Sequence, residues 1–334
     1  LHYFFDTYCR GLILYGIRVK KIMKGLDFYF SLAKMRYGTE LLAHEKILSN
    51  THDIFFMEEV KNNIQTSFSK ENPIFNIYLK IIQLYQEGHK KNIYEEGKNC
   101  FMQHLEKLST PEKAIVLQHF LNHTNGVINQ GDRSYTQDLF DLYKIGLQHH
   151  LFISNGRIKD NIFMNIAVCG AYAKEFKWAA DFIEKYKQYL EPEKKENATA
   201  ISKAYWHFYK KDFSTAIDFI NCLEGKELNT DLRARSLGTR SYFELYLIDT
   251  TYLEMLLNYL DAFQRFITRK KILSQNKRNA YTNFISLTRK LTLAKNEKGV
   301  KKNFKKTKAQ IKNLLQESKP LIAKSWLEEK MASL

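Results

Sequence analysis

Two histidines four residues apart, His119 and His123, are the nearest this chain comes to a metal-ligand pair. On a helix they would share one face, the geometry that holds a cation between two imidazoles. Phe120, Leu121 and Asn122 separate them, so the glutamate of a zinc hydrolase is missing and the pair reads as an ordinary helix face. His149 and His150 are adjacent and point apart on a helix. Glu58-Glu59 and Glu95-Glu96 pair carboxylates along the chain only. The cysteines, Cys9, Cys100, Cys169 and Cys222, form no Cys-x-x-Cys. That spacing argues against a disulfide framework or zinc site and fits a reducing, cytoplasmic setting. No Gly-x-Gly-x-x-Gly, phosphate loop or Gly-x-Ser-x-Gly elbow occurs. The expectation is a protein that is not an enzyme and uses no cofactor or metal.

Charge offers a different chemistry. Between Arg265 and Lys312 sixteen lysines and arginines face one acid, Glu297, so nearly all of the chain's net +16 lies there. A cationic arm attracts polyanions through a salt-dependent term that ignores sequence. Arg269, Lys270, Lys271, Lys277, Arg278, Lys301, Lys302, Lys305 and Lys306 are its candidate contacts. Phe266, Tyr281, Phe284 and Phe304 interleave, either as base-stacking platforms or as helix core. Nucleic acid, an acidic protein surface and anionic lipid all fit such an arm, and so does a merely solvated face.

The elements that carry these residues read as helices almost throughout the 334 residues. Only four prolines occur, at helix ends. Ser109-Thr110-Pro111-Glu112 combines a hydroxyl cap, Pro in the first turn and an acid near the dipole's positive end. Asn72-Pro73 has the same form. Pro192 closes the apolar run Trp178–Leu190. Strand signals are weak, with no Asn-Gly or Asp-Gly turn expected between alternating runs. Gly131-Asp132-Arg133 reads as a turn with a helix cap. The most apolar stretch, Gly11 to Val19, is too short to span a membrane.

A repeat organises the middle of the chain. Tyr172-Ala173-Lys174-Glu175-Phe176-Lys177-Trp178-Ala179 matches Tyr209-Lys210-Lys211-Asp212-Phe213-Ser214-Thr215-Ala216, each position 37 residues on. Such a period belongs to stacked helical hairpins, and the alanines let paired helices approach closely. A weaker copy runs over Leu247–Met255, with Tyr252 in the aromatic place and Met255 for the alanine.

These phrases resemble the tetratricopeptide repeat, over roughly Ile162 to Ala262. The segments around Leu26–Tyr29, Lys34–Tyr37, Glu40–Leu42, Asn129–Arg133 and Glu196-Asn197 resemble an uncharacterised bacterial family of repeat-like helical proteins with no assigned activity. That resemblance implies further helices upstream of Leu1. The expected fold is all-α, a right-handed α-solenoid of antiparallel helical hairpins. Residues 1–158 would hold hairpins without a repeat phrase, 159–273 the repeats, and 274–334 the basic helices. The expected function is a protein-interaction scaffold with a concave groove for an unidentified protein or peptide; the alternative is nucleic-acid or other polyanion binding through the basic helices. Extending the register, Met164, Val168, Ala171 and Tyr172, then Ile201, Tyr205, Phe208 and Tyr209, would line the groove. The family's carboxylate-binding grooves normally use Lys and Asn at such places, so an apolar helix or extended peptide is the better occupant.

Overall fold

In the computed structural model the described residues are 2–48, 56–64, 72–88, 90–225, 227–296 and 304–333, with side chains described over 15–45 and from 306 in the first and last of these stretches. Among the described residues fifteen α-helices run in chain order: α1 (His2–Leu48), α2 (Met57–Asn63), α3 (Pro73–Glu87), α4 (Lys91–His104) and α5 (Thr110–Asn129). Then come α6 (Thr136–Gln148), α7 (Asp160–Tyr172), α8 (Phe176–Tyr186), α9 (Pro192–Tyr209) and α10 (Phe213–Asn221). The last are α11 (Leu228–Ile248), α12 (Leu253–Arg269), α13 (Gln275–Asn296), α14 (Phe304–Glu317) and α15 (Lys324–Ser333). The all-α expectation holds. The chain divides into two compact units, Leu1–His123 and Thr124–Leu334, the boundary falling within α5.

Helix starts follow local chemistry. Asn72 accepts the Ile74 amide at 3.1 Å just before Pro73. Ser109 accepts the Glu112 amide at the head of α5. Pro192 does more than end the preceding helix: it stands in the first turn of α9, where its missing N–H leaves no bond unmade.

One strand signal was misread. Ile153-Ser154 and Arg157-Ile158 pair antiparallel across Asn155-Gly156. Both turn residues have positive φ, 50° and 70°, as a two-residue primed turn demands. The runs are too short to alternate visibly, so the turn dipeptide was the only signal.

Within the first unit α3 packs on α4 and α1, around Phe75, Tyr78 and Ile82. Within the second, each helix packs on its successor, and α7 also packs on α9 and α9 on α11. That two-helix interval is the packing of a helical-repeat array. Equivalent side chains meet across it: the rings of Tyr172 and Tyr209 lie 5.3 Å apart. Ala179 and Ala216 are fully buried. A Cβ placed on Gly170 would lie 3.2 Å from the Ala179 Cβ, so glycine and alanine together set the α7–α8 approach.

The turns between successive helices repeat too. Lys174 and Lys211 both adopt left-handed backbone, φ 66° and 67°. In each, the next amide returns to a carbonyl five residues back: Glu175 to Gly170 and Asp212 to His207, both at 2.9 Å. This is the Schellman cap, built on lysine where glycine is usual. The third unit departs from the expected register. A 3₁₀ turn, Thr250–Tyr252, precedes α12. It moves the small-residue position from Met255, which is 58% exposed, to the fully buried Leu256.

Two outcomes follow from this geometry. Ala216→Phe overpacks the α9–α10 pair and lowers stability by about 1–3 kcal/mol in chemical denaturation. Lys211→Gly relieves the left-handed residue and raises stability by about 0.5–1 kcal/mol; an unchanged or lower midpoint contradicts the strain assigned to that turn.

Candidate functional site

The second unit carries a partly open cavity of about 850 Å³, within the size range of small-molecule sites. Helical spacing aims three walls into it. α7 contributes Asn165, Val168, Cys169 and Tyr172; α9 contributes Tyr205, Phe208 and Tyr209. α11 contributes Arg233, Ser236, Arg240 and Glu244, a stripe three, four and seven residues apart. Tyr281 of α13 and Trp326, Glu329 and Lys330 of α15 complete the lining.

All four expected groove residues, Tyr172, Tyr205, Phe208 and Tyr209, therefore face one space, joined by Val168 and Ala171. Met164 and Ile201 do not line it and are buried core. The surprise is the cover. α15 packs on α13 and α14 and reaches α11 through Trp326 and Lys330. The Trp326 indole donates to Glu244 at 2.8 Å, and its ring sits 5.2 Å from Phe243 and 6.1 Å from Phe284. Lys330 pairs with Glu244 at 2.6 Å. Arg133 donates to Glu329 and to the Ser325 carbonyl, at 3.2 and 2.9 Å. Lys324 donates to the Gln130 carbonyl. At Gly131 φ is 112°, so glycine serves the turn that leads into Asp132. Asp132 caps the following turn by accepting the Ser134 amide, as its sequence suggested. Arg133, beside it, is a clamp for the C-terminal helix.

The electrostatics of the cavity are cationic. Burial pushes the Tyr209 and Tyr281 hydroxyls up to about 12, although Arg240 beside both pulls the other way. Burial likewise drives the Cys169 thiol up to about 12, which leaves it an inert thiol. Burial opposes the charges of Glu329 and Lys330, and their mutual contact, with Arg133 and Glu244, outweighs it. Glu329 is held below the ordinary carboxylate range and Lys330 above the ordinary amine range.

The basic arm divides. Arg269, Lys270, Lys271 and Lys277 are exposed around the α12–α13 turn, and Lys306 is exposed on α14. Arg278 is committed elsewhere: it donates to the carbonyls of Ile267, Thr268 and Lys270 and closes the end of α12. Lys301, Lys302 and the side chains of Phe304 and Lys305 lie outside the described residues. Phe284 is fully buried and Tyr281 faces the cavity, so neither is a surface stacking platform.

The histidine pair is core. His119 is buried, and its Nδ1 lies 2.9 Å from the Tyr85 hydroxyl. His123 stacks on Tyr94, rings 5.1 Å apart. Among the described residues no group of histidine, cysteine and carboxylate side chains is placed to hold a metal. None of the described helices is long and apolar enough to cross a membrane.

Sequence reasoning missed Arg233, Arg240, Glu244 and Trp326. The available signal was a charged stripe on a helix flanked by packed neighbours, where charge needs a partner. Comparison of the chain with protein-family models, curated proteins and solved structures found no match. The tetratricopeptide and bacterial-family resemblances thus rest on the quoted phrases and on the helical-repeat-like packing.

Burial drives the His119 pKa down to about 4. A protonated ring is then favoured in the unfolded chain between its ordinary value and about 4. Stability is full above about pH 6.5 and falls as pH drops toward 4, by roughly 3 kcal/mol at most. Thermal unfolding across that window should show this slope, and His119→Gln should flatten it.

Proposed function

We propose that the second unit is a right-handed solenoid of antiparallel hairpins that works as a non-enzymatic interaction scaffold. Its concave face, formed by α7, α9 and α11, takes a short helical segment with an aromatic anchor and an acid one turn away. One observation carries this reading: α15 already docks at the α11 edge of that face through Trp326, with Glu329 one turn on held by Arg133. Helix-in-groove recognition uses the same anchors at three- and four-residue spacing. A partner of this type would compete with α15.

The test is a labelled peptide spanning residues 321–334, titrated against the full chain and against Trp326→Ala. Removing the indole frees the face and costs about 3 kcal/mol of stability. The peptide should bind the variant at least about tenfold more tightly than the wild type, and Tyr209→Ala in that background should weaken it. Equal binding to both chains sinks the groove reading.

A second reading, polyanion binding, is supported by Arg269, Lys270, Lys271 and Lys277. They stand exposed around one turn and have no acidic partner among the described residues. Heparin or DNA retention should then fall steeply with salt and drop further in Lys270→Glu/Lys271→Glu. Absence of retention at low salt ends that reading.

A further inference from the structure

Arg240 is 7% exposed, yet no carboxylate reaches it among the described residues. Its guanidinium has five N–H donors. Nε donates to the Ser236 carbonyl of its own helix at 3.3 Å, and one terminal nitrogen donates to the Tyr205 hydroxyl at 3.4 Å. The rings of Tyr205 and Phe208 lie 5.5 and 5.1 Å from its central carbon. With the Tyr209 hydroxyl also beside it, the guanidinium has only neutral partners, two long hydrogen bonds and two ring faces among them, and no counter-ion among the described residues.

Arg233 repeats the pattern two turns away on the same face. It donates to the Asn165 amide oxygen at 2.7 Å and has no acidic partner among the described residues. The cavity's two carboxylates are taken: Glu244 by Trp326 and Lys330, Glu329 by Arg133 and Lys330. Nothing acidic in the wall remains for the two arginines. Around them stand the hydroxyls of Tyr205, Tyr209 and Tyr281, and burial holds the last two protonated and able to donate.

We propose that this cavity is a binding site for a small organic anion, a carboxylate or phosphate ester on an aromatic body. The oxyanion would sit between Arg240 and Arg233, where planar guanidinium forks match carboxylate and phosphate geometry. The body would lie against Tyr205, Phe208 and Tyr209. Such a ligand supplies the charge that the fold leaves out and fits beneath α15 without displacing it. The site shares Tyr209 and its face with the peptide surface proposed above, but the anion is read on the wild-type chain with α15 in place and the peptide on Trp326→Ala, so either can fail alone.

The experiment is calorimetric titration of the full chain with 1-naphthoate, 1-naphthyl phosphate and the neutral 1-naphthamide. The first two distinguish carboxylate from phosphate as the preferred head group. At least one should bind about tenfold or more tightly than the amide and raise the thermal midpoint. Arg240→Gln should abolish that preference, and Arg233→Gln should reduce it. Where Arg240→Gln melts early, the half-buried Arg233→Gln and Tyr281→Phe carry the measurement. Binding of the amide equal to that of the anions overturns the proposal. So does unchanged anion affinity in the folded variants, or no anion binding below about 1 mM.

Discussion

Glu244 organises the second unit. Its side chain is only 11% exposed and sits on a helix flanked by packed neighbours. A carboxylate there must be matched, because an unpaired buried charge costs far more than a hydrogen bond returns. Two groups match it, the Trp326 indole and the Lys330 ammonium, and both belong to α15. The ten-residue helix α15 is thereby held against α11, and its Trp326, Glu329 and Lys330 form part of the cavity wall. Arg133 secures the other side of the same helix through Glu329 and the Ser325 carbonyl.

The repeat supplies the frame for this contact. Small residues at Gly170 and Ala179 bring α7 and α8 together, and the lysine-based Schellman caps return the chain at the same angle twice. Helices of like position then stack, so that Tyr172, Tyr209 and Arg240 arrive on one face from three elements distant in sequence. A charge on that face needs no neighbour in its own helix; its environment is built by the next hairpin.

This separation explains what could be read in advance. Helix content, the proline caps and the repeated Phe-x-x-Ala phrase are local, and the structure shows them. The four groove aromatics followed from extending a local period, and they do share one cavity. What escaped was non-local. Nothing near Trp326 announces that it packs against Phe243, eighty-odd positions earlier. Nothing near Arg278 shows that it caps the preceding helix in place of facing a polyanion. The Asn155-Gly156 turn escaped because its strands are only two residues each, too short to show alternation. Met255 was misplaced because a three-residue 3₁₀ turn shifts the third unit.

Hydrogen–deuterium exchange of the intact chain tests the docked helix most directly. The amides of residues 325–333 should be protected to a degree approaching those of α11, since opening α15 requires breaking the Trp326–Glu244 and Arg133–Glu329 contacts. Exchange of that segment at the rate of a frayed terminus, with α11 still protected, would show that the inner face is open and that the account is wrong.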